Sequence, residues 1–132
     1  MNTFALQLFQ STETDRIDEV TLFVGEDASG SFGIQANHAR FITVLTMGLA
    51  RVDRTDGRRE FLATSGGLIY FRKNQLVLHT RRYWRGNNYS DMQAILQQKF
   101  QAEDASLQQI KSNLTHIEKA MFRRLMELEH QR

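Results

Sequence analysis

All eight glycines and all five valines of this chain precede Ser90, and the 43 residues from Ser90 to Arg132 contain neither glycine nor proline. Eleven of the thirteen aromatic side chains also precede Ser90, as do eighteen of the twenty-two β-branched ones. β-branched and aromatic residues fit the pleated surface of a strand, and glycine marks turns and bulges. The chain therefore reads as two chemically distinct parts that meet near Arg85-Gly86-Asn87-Asn88. The expected class is α+β: an N-terminal antiparallel β-sandwich or flattened barrel over residues 1–86, then a C-terminal two-helix arm over residues 87–132.

One apolar stripe runs along the second part. It begins with Met92, Leu96 and Phe100, continues through Leu107, Ile110, Leu114, Ile117 and Met121, and ends with Leu125 and Leu128. Steps of three and four place these side chains on one helix face. At about 1.5–3 kcal/mol each when fully buried, they form a surface that must pack on something. Ser90 with Gln93, Ser106 with Gln109 and Thr115 with Glu118 each fit a capping box, so two helices are expected. The polar gap from Gln101 to Ser106 is the expected bend of a helical hairpin. One continuous helix of about 60 Å, at about 1.5 Å per residue, is the alternative.

The first part reads as short strands. Thr3 to Phe9 and Ile17 to Val24 alternate, Gly25 to Gly33 reads as a polar loop, Ile34 to Ala39 is irregular, and Phe41 to Leu45 is a further strand. A hairpin joins Leu49–Arg54 to Arg59–Thr64 through Asp56-Gly57, and a second joins Leu68–Phe71 to Gln75–Thr80 through Lys73-Asn74. Ser65-Gly66-Gly67 reads as a bulge or tight corner. Short strands spaced this way suggest a sandwich rather than a parallel α/β sheet.

The totals exclude several classes. No apolar run approaches the roughly 20 residues of a membrane span, and the start shows no secretory pattern, so a cytoplasmic protein is the default. No cysteine is present, which removes disulfides, thiolate metal sites and a cysteine nucleophile. A net charge of +2 gives no reason to expect an anionic partner.

No catalytic constellation emerges. No strained Gly-x-Ser-x-Gly turn carries a serine, and Gly30-Ser31-Phe32-Gly33 lacks the Lys-Ser/Thr of a phosphate loop. His38, His79, His116 and His130 show no metal-ligand spacing, so neither metal nor cofactor is expected. Arg81-Arg82-Tyr83-Trp84-Arg85 admits two readings. In one, Tyr83 and Trp84 wedge between sandwich and helices while the arginines stay solvated. In the other, the cluster is a stacking platform for nucleic acid on a β-domain adaptor that dimerises through a coiled coil.

Three blocks carry a family resemblance. They are Phe32-Gly33-Ile34-Gln35-Ala36-Asn37-His38-Ala39 with Phe41-Ile42-Thr43 and Gly48, then Glu60-Phe61 leading to Ser65-Gly66-Gly67, then Arg85-Gly86 before the helices. In this order the set resembles the epsilon subunit of F-type ATP synthases over essentially the whole chain. Asp27-Ala28-Ser29-Gly30-Ser31-Phe32-Gly33 and Thr80-Arg81-Arg82-Tyr83 look like the branch found in alternative, sodium-type F-ATPases.

The resemblance implies a non-catalytic rotor subunit at the cytoplasmic face of the bacterial inner membrane, coupling ion-driven c-ring rotation to ATP synthesis. Its sandwich would bind the gamma subunit and sit on the c-ring, with Gly30 and Ser31 in the region facing the c-ring and His38 near gamma. The helices would act as a movable arm that can block hydrolysis when extended into the alpha/beta catalytic head. Lys119, Arg123 and Arg124 are the candidates to pair with acidic residues there, and a solvated face opposite Leu125 and Leu128 is their other reading. Several bacterial relatives open the first helix with Ile/Leu-Asp-x-x-Arg-Ala, which helps bind ATP. Here the acid and base are replaced by Ser90 and Gln93 ahead of Ala94, so no nucleotide binding is expected. Nucleic acid is not expected either, because such a surface would spread basic side chains over several strands, whereas the net charge is only +2.

Overall fold

The computed structural model describes residues 2–101, 109–110, 113–114, 117 and 119–126. Nine strands precede the first helix: β1 (Phe4–Phe9), β2 (Thr14–Asp27), β3 (Gly30–Gln35), β4 (Phe41–Leu45), β5 (Gly48–Arg54), β6 (Arg59–Thr64), β7 (Gly67–Arg72), β8 (Gln75–Thr80) and β9 (Tyr83–Gly86). They run in the order β4-β7-β8-β1-β2-β5-β6-β9, with β3 on β2. The long β2 joins the two layers: its first half pairs with β1, its second half with β3 and β5. Its register shifts at a bulge near Glu19, whose φ of 58° is left-handed.

Between the layers lies the core. Leu6, Leu8, Ile69, Phe71, Leu76 and Leu78 meet Phe23, Ile34, Val52 and Leu62, all buried. Alternate residues of each strand supply this face, the period of two that a half-buried strand needs. Where the end of β2 meets β4, Thr46 N–H donates to the Glu26 carbonyl (2.9 Å) and the Thr43 hydroxyl to Asp27 Oδ2 (2.8 Å), closing one side.

The corner Ser65-Gly66-Gly67 is as tight as its composition suggests. Gly66 N–H donates to Thr64 Oγ1 (3.1 Å), and the Thr80 hydroxyl donates to the Gly66 carbonyl (2.7 Å). Gly67 has φ +149°, and a Cβ there would run into the His79 carbonyl oxygen.

Four local expectations need correction. Gly25 to Gly33 is not a loop but the turn region of a β2–β3 hairpin, because Asp27 Oδ1 accepts from Ser29 N–H (2.9 Å) and builds the turn itself. One pairing in the sandwich is parallel, β1 with β8. Tyr83 and Trp84 do not form a joint wedge. They lie in strand β9 paired with β6, so they point to opposite faces: Tyr83 packs on the core and Trp84 is 39% exposed. The first helix, α1 (Tyr89–Ile95), is capped by Asn88, whose side chain accepts from Asp91 N–H (3.0 Å), rather than by Ser90.

Helix α1 continues as a π-helical stretch, Leu96–Gln101. Met92, Leu96 and Phe100 are buried with Ala63, against Leu49 and Phe61, and cover the outer face of β5 and β6. Gly86 makes room for this: a Cβ there would lie 2.5 Å from Met92 Sδ. Met1–Phe100 form one compact unit and Gln101–Arg132 a second. In the second, residues 109–110, 113–114, 117 and 119–126 are helical, and Ile110, Leu114, Ile117, Met121 and Leu125 are exposed. The expected bend between Gln101 and Ser106, the caps at Ser106 and Thr115, Leu107 and Leu128 lie outside the described residues or rest on them.

Candidate functional site

The layer β4-β7-β8-β1 turns one set of side chains into the core and the other outward. Facing outward are Ile42 and Val44 on β4, Leu68 and Tyr70 on β7, Val77 and His79 on β8, and Gln7 and Phe9 on β1. The pairings Ile42 with Tyr70, Val44 with Leu68, Leu68 with His79, and Phe9 with His79 bring these residues side by side. Ile42 is 66% exposed, Val44 64% and Leu68 42%. This is a contiguous apolar patch on a rigid sheet. Its margin is polar: Arg72 stands opposite Gln75 at one end, and Arg16, bound to Asp18 at 2.7 Å, lies across from Gln7. An apolar centre with a polar rim is the anatomy of a protein-docking surface.

His38 lies at the end of this layer. The Asn37 turn (φ +65°) places its ring edge-on to Phe41 and Phe71, at 5.8 and 6.1 Å, with Nδ1 2.7 Å from the Ala39 carbonyl oxygen. Asn74 holds that turn, accepting from Asn37 N–H (2.8 Å) and donating to the Thr3 carbonyl (2.7 Å). Gly30 and Ser31 lie at the other end of β3, at the tip of the β2–β3 hairpin. The length of β3, at about 3.3 Å per residue, separates them from His38. At the tip Gly30 has φ +125° and open space about its Cα, and Ser31 is exposed. The Ser29 hydroxyl, then that of Thr43, holds the Asp27 carboxyl below its usual range.

A second surface lies on the other layer. Arg58, Arg59, Glu60, Arg85, Gly86 and Asn87 line an open groove of about 540 Å³. Its charges are matched: Arg59 binds Asp53 (2.9 Å), Arg58 binds Asp56, and Arg85 binds Glu60 (2.9 Å) and Asp15 (2.6 Å). Burial opposes the charge on Arg85, but its hydrogen bonds to Asp15 and Glu60 raise its pKa. Burial, with Asp15 and Glu13 nearby, pushes the Tyr83 phenol up. With Arg85 committed to carboxylates and Tyr83 packed on the core, the adaptor reading with a nucleic-acid platform finds no support in this cluster.

The remaining candidates do not converge on one site. Ser90 and Ala94 are exposed on α1 and Gln93 is half-buried, and no acid–base pair stands among these three. Lys119, Arg123 and Arg124 are exposed in the helical stretch 119–126. Among the described residues, no group of three His, Cys, Asp or Glu side chains could hold a metal ion, and no helix is long and apolar enough to cross a membrane.

The bare face is the surface feature that residue-by-residue reading missed. Its signal was present: Phe41-Ile42-Thr43-Val44-Leu45 and Leu68-Ile69-Tyr70-Phe71 are apolar at both parities, as in strands covered on both sides.

The fold and this face define a β-sandwich module with an uncovered apolar outer face. Residues 3–86 match the family described as ATP synthase, Delta/Epsilon chain, beta-sandwich domain. The chain is 28% identical over 102 residues to the ATP synthase epsilon chain 2 of Cereibacter sphaeroides, covering 76% of this chain and 70% of that one. It is 28% identical over 103 residues to the ATP synthase epsilon chain of Acinetobacter baylyi, covering 78% and 73%. Among solved structures, a chain of the Euglena gracilis mitochondrial ATP synthase (OSCP/F1/c-ring, rotational state 1) has a similar fold, with TM-score 0.60 and 18% identity. That match covers 64% of this chain and only 54% of the Euglena chain. The chain belongs to the delta/epsilon family of ATP synthase subunits, as an epsilon subunit of the F-type enzyme.

Proposed function

We propose that this subunit works in the central stalk as a non-catalytic rotor component, with the gamma subunit seated on the bare face of β4-β7-β8-β1. The observation that carries this reading is the exposure of Ile42, Val44 and Leu68 at the centre of a polar-rimmed sheet. Full burial of each would contribute about 1.5–3 kcal/mol before the costs of association. His38, at the end of the same layer, is a rim contact to gamma. Gly30 and Ser31, at the hairpin tip, face the c-ring, and ion-driven rotation is coupled to ATP synthesis through these two contacts. Support for the setting comes from the Euglena chain of similar fold, which belongs to an assembly of OSCP, F1 and c-ring.

The second unit serves as the arm. Its exposed Ile110, Leu114, Ile117, Met121 and Leu125 form a surface that gains burial on a partner, and Lys119, Arg123 and Arg124 pair with acidic residues of the alpha/beta head to restrain hydrolysis. With Ser90 and Gln93 where some relatives carry an acid and a base, ATP does not control this arm. The subunit lies peripherally at the cytoplasmic face of the bacterial inner membrane, in a complex of the sodium-type branch.

Co-expression with the gamma subunit of the same complex tests the seat. The chain is expected to co-purify with gamma, and Val44→Glu to abolish co-purification while circular dichroism stays unchanged. A Val44→Glu chain that still co-purifies would remove the bare face from the interface.

A further inference from the structure

Resting on the seat just described, we propose that His79 makes the docking of gamma sensitive to acid. Most of the bare face is aliphatic or aromatic, and one titratable imidazole stands within it. His79 sits opposite Leu68 on β7 and beside Phe9 on β1. Its ring stacks on Phe9 with centroids 4.9 Å apart and planes within 15°, and on Tyr70 at 6.1 Å and 26°. The residue is exposed, so in the free subunit water reaches the ring in either charge state.

The described residues that surround it come from β7, β1, β4 and the end of β8. From β7 come Tyr70 and, at the far end of the strand, Arg72. The outward residues of β1, Gln7 and Phe9, carry no charge, nor do Ile42 and Val44 on β4. Arg81, just past the end of β8, lines a shallow depression with Phe9, Gln10 and His79. Beyond β1, Arg16 and Asp18 bind each other.

Two effects compete when His79 is protonated. The imidazolium is attracted to the faces of Phe9 and Tyr70. That attraction is available in the free and the docked subunit alike, so it largely cancels in the docking equilibrium. Desolvation under an apolar cover arises only on docking, and it penalises the imidazolium but not the neutral ring. Docking therefore favours the neutral ring over the imidazolium. Association is therefore expected to be tighter at neutral pH than in acid, where imidazole side chains gain a proton. Acidification on this side of the membrane would thus loosen the rotor at this joint.

The test measures the dissociation constant between purified subunit and purified gamma by calorimetry at about pH 7.5, 6.5 and 5.5, spanning the imidazole range. The native pair is expected to weaken about tenfold from the highest pH to the lowest. His79→Gln should flatten the profile, and His79→Phe, which keeps a ring between Phe9 and Tyr70, should flatten it too. His38→Gln should keep the native profile. The proposal is overturned when His79→Gln and His79→Phe retain the pH dependence, or when His38→Gln alone removes it. Val44→Glu separates the two levels: unchanged binding at the highest pH overturns the seat and the switch together. Lost binding by Val44→Glu beside an unaltered profile in the His79 variants overturns the switch alone.

Discussion

The two outer faces of this sandwich are built on the same strand alternation and are finished differently. On β5 and β6 the chain covers its own sheet: small Ala63 on β6, and Gly86 on the neighbouring strand β9, leave room for Met92, Leu96 and Phe100 of the helix that follows. On β4 and β7 the outward positions hold Ile42, Val44 and Leu68, side chains with volume of their own, and they stay exposed. The difference shows where each face's apolar surface does its work. The covered face stabilises the folded subunit itself. In the proposed seat, the bare face would stabilise an assembly, with its side chains entering a partner rather than receiving a helix.

This contrast predicts opposite responses to substitution. Phe100→Ala, in the fully buried cover, is expected to lower stability by about 3–5 kcal/mol in urea unfolding. A loss under about 1 kcal/mol would mean the cover is not part of the cooperative unit. Ile42→Ser and Leu68→Ser, on the bare face, should change stability by no more than about 0.5 kcal/mol while weakening gamma binding. Loss of stability without loss of binding would reverse the roles assigned to the two faces.

The smallest effect concerns Asp27, beside the hairpin tip. Its carboxyl is held below the usual range chiefly by Ser29 and then by Thr43, so its ionised form is favoured in the fold. That contribution is present above the unfolded value of about 3.9 and is lost as pH falls through the lower folded value. In an acid titration followed by NMR, Ser29 and Thr43 resonances should move only below the usual carboxylate range. In Asp27→Ala they should already be displaced at neutral pH.

What could be read from the chain followed how openly each segment stated its geometry. The hairpins at Asp56-Gly57 and Lys73-Asn74 were legible because those turns need left-handed residues: Gly57, Lys73 and Asn74 have φ of 82°, 50° and 60°. The β2–β3 hairpin was not, because its turn is made by the Asp27 side chain and its strands carry Glu26 and Ser31 toward water. Strand β9 was hidden by its arginine, since Arg85 looks solvated in sequence yet is held by Asp15 and Glu60. The burial of Met92, Leu96 and Phe100 followed from their spacing. The bare face was half-visible: apolar residues at both parities announced two covered sides, but a partner outside the chain leaves no mark on periodicity.

The one parallel pairing sets the order in which the subunit can be made. Strand β1 lies between β2 and β8, with Ala5 beside Gln75 and the Thr3 carbonyl accepting from the Asn74 side chain. Its second neighbour does not exist until synthesis has passed Thr80. Such distant pairings form late and slowly, because a long loop must close before any contact offsets its entropy. On the ribosome the β5–β6 hairpin is complete before the layer that carries the bare face can close. The bare face is among the last parts of this sheet to take shape.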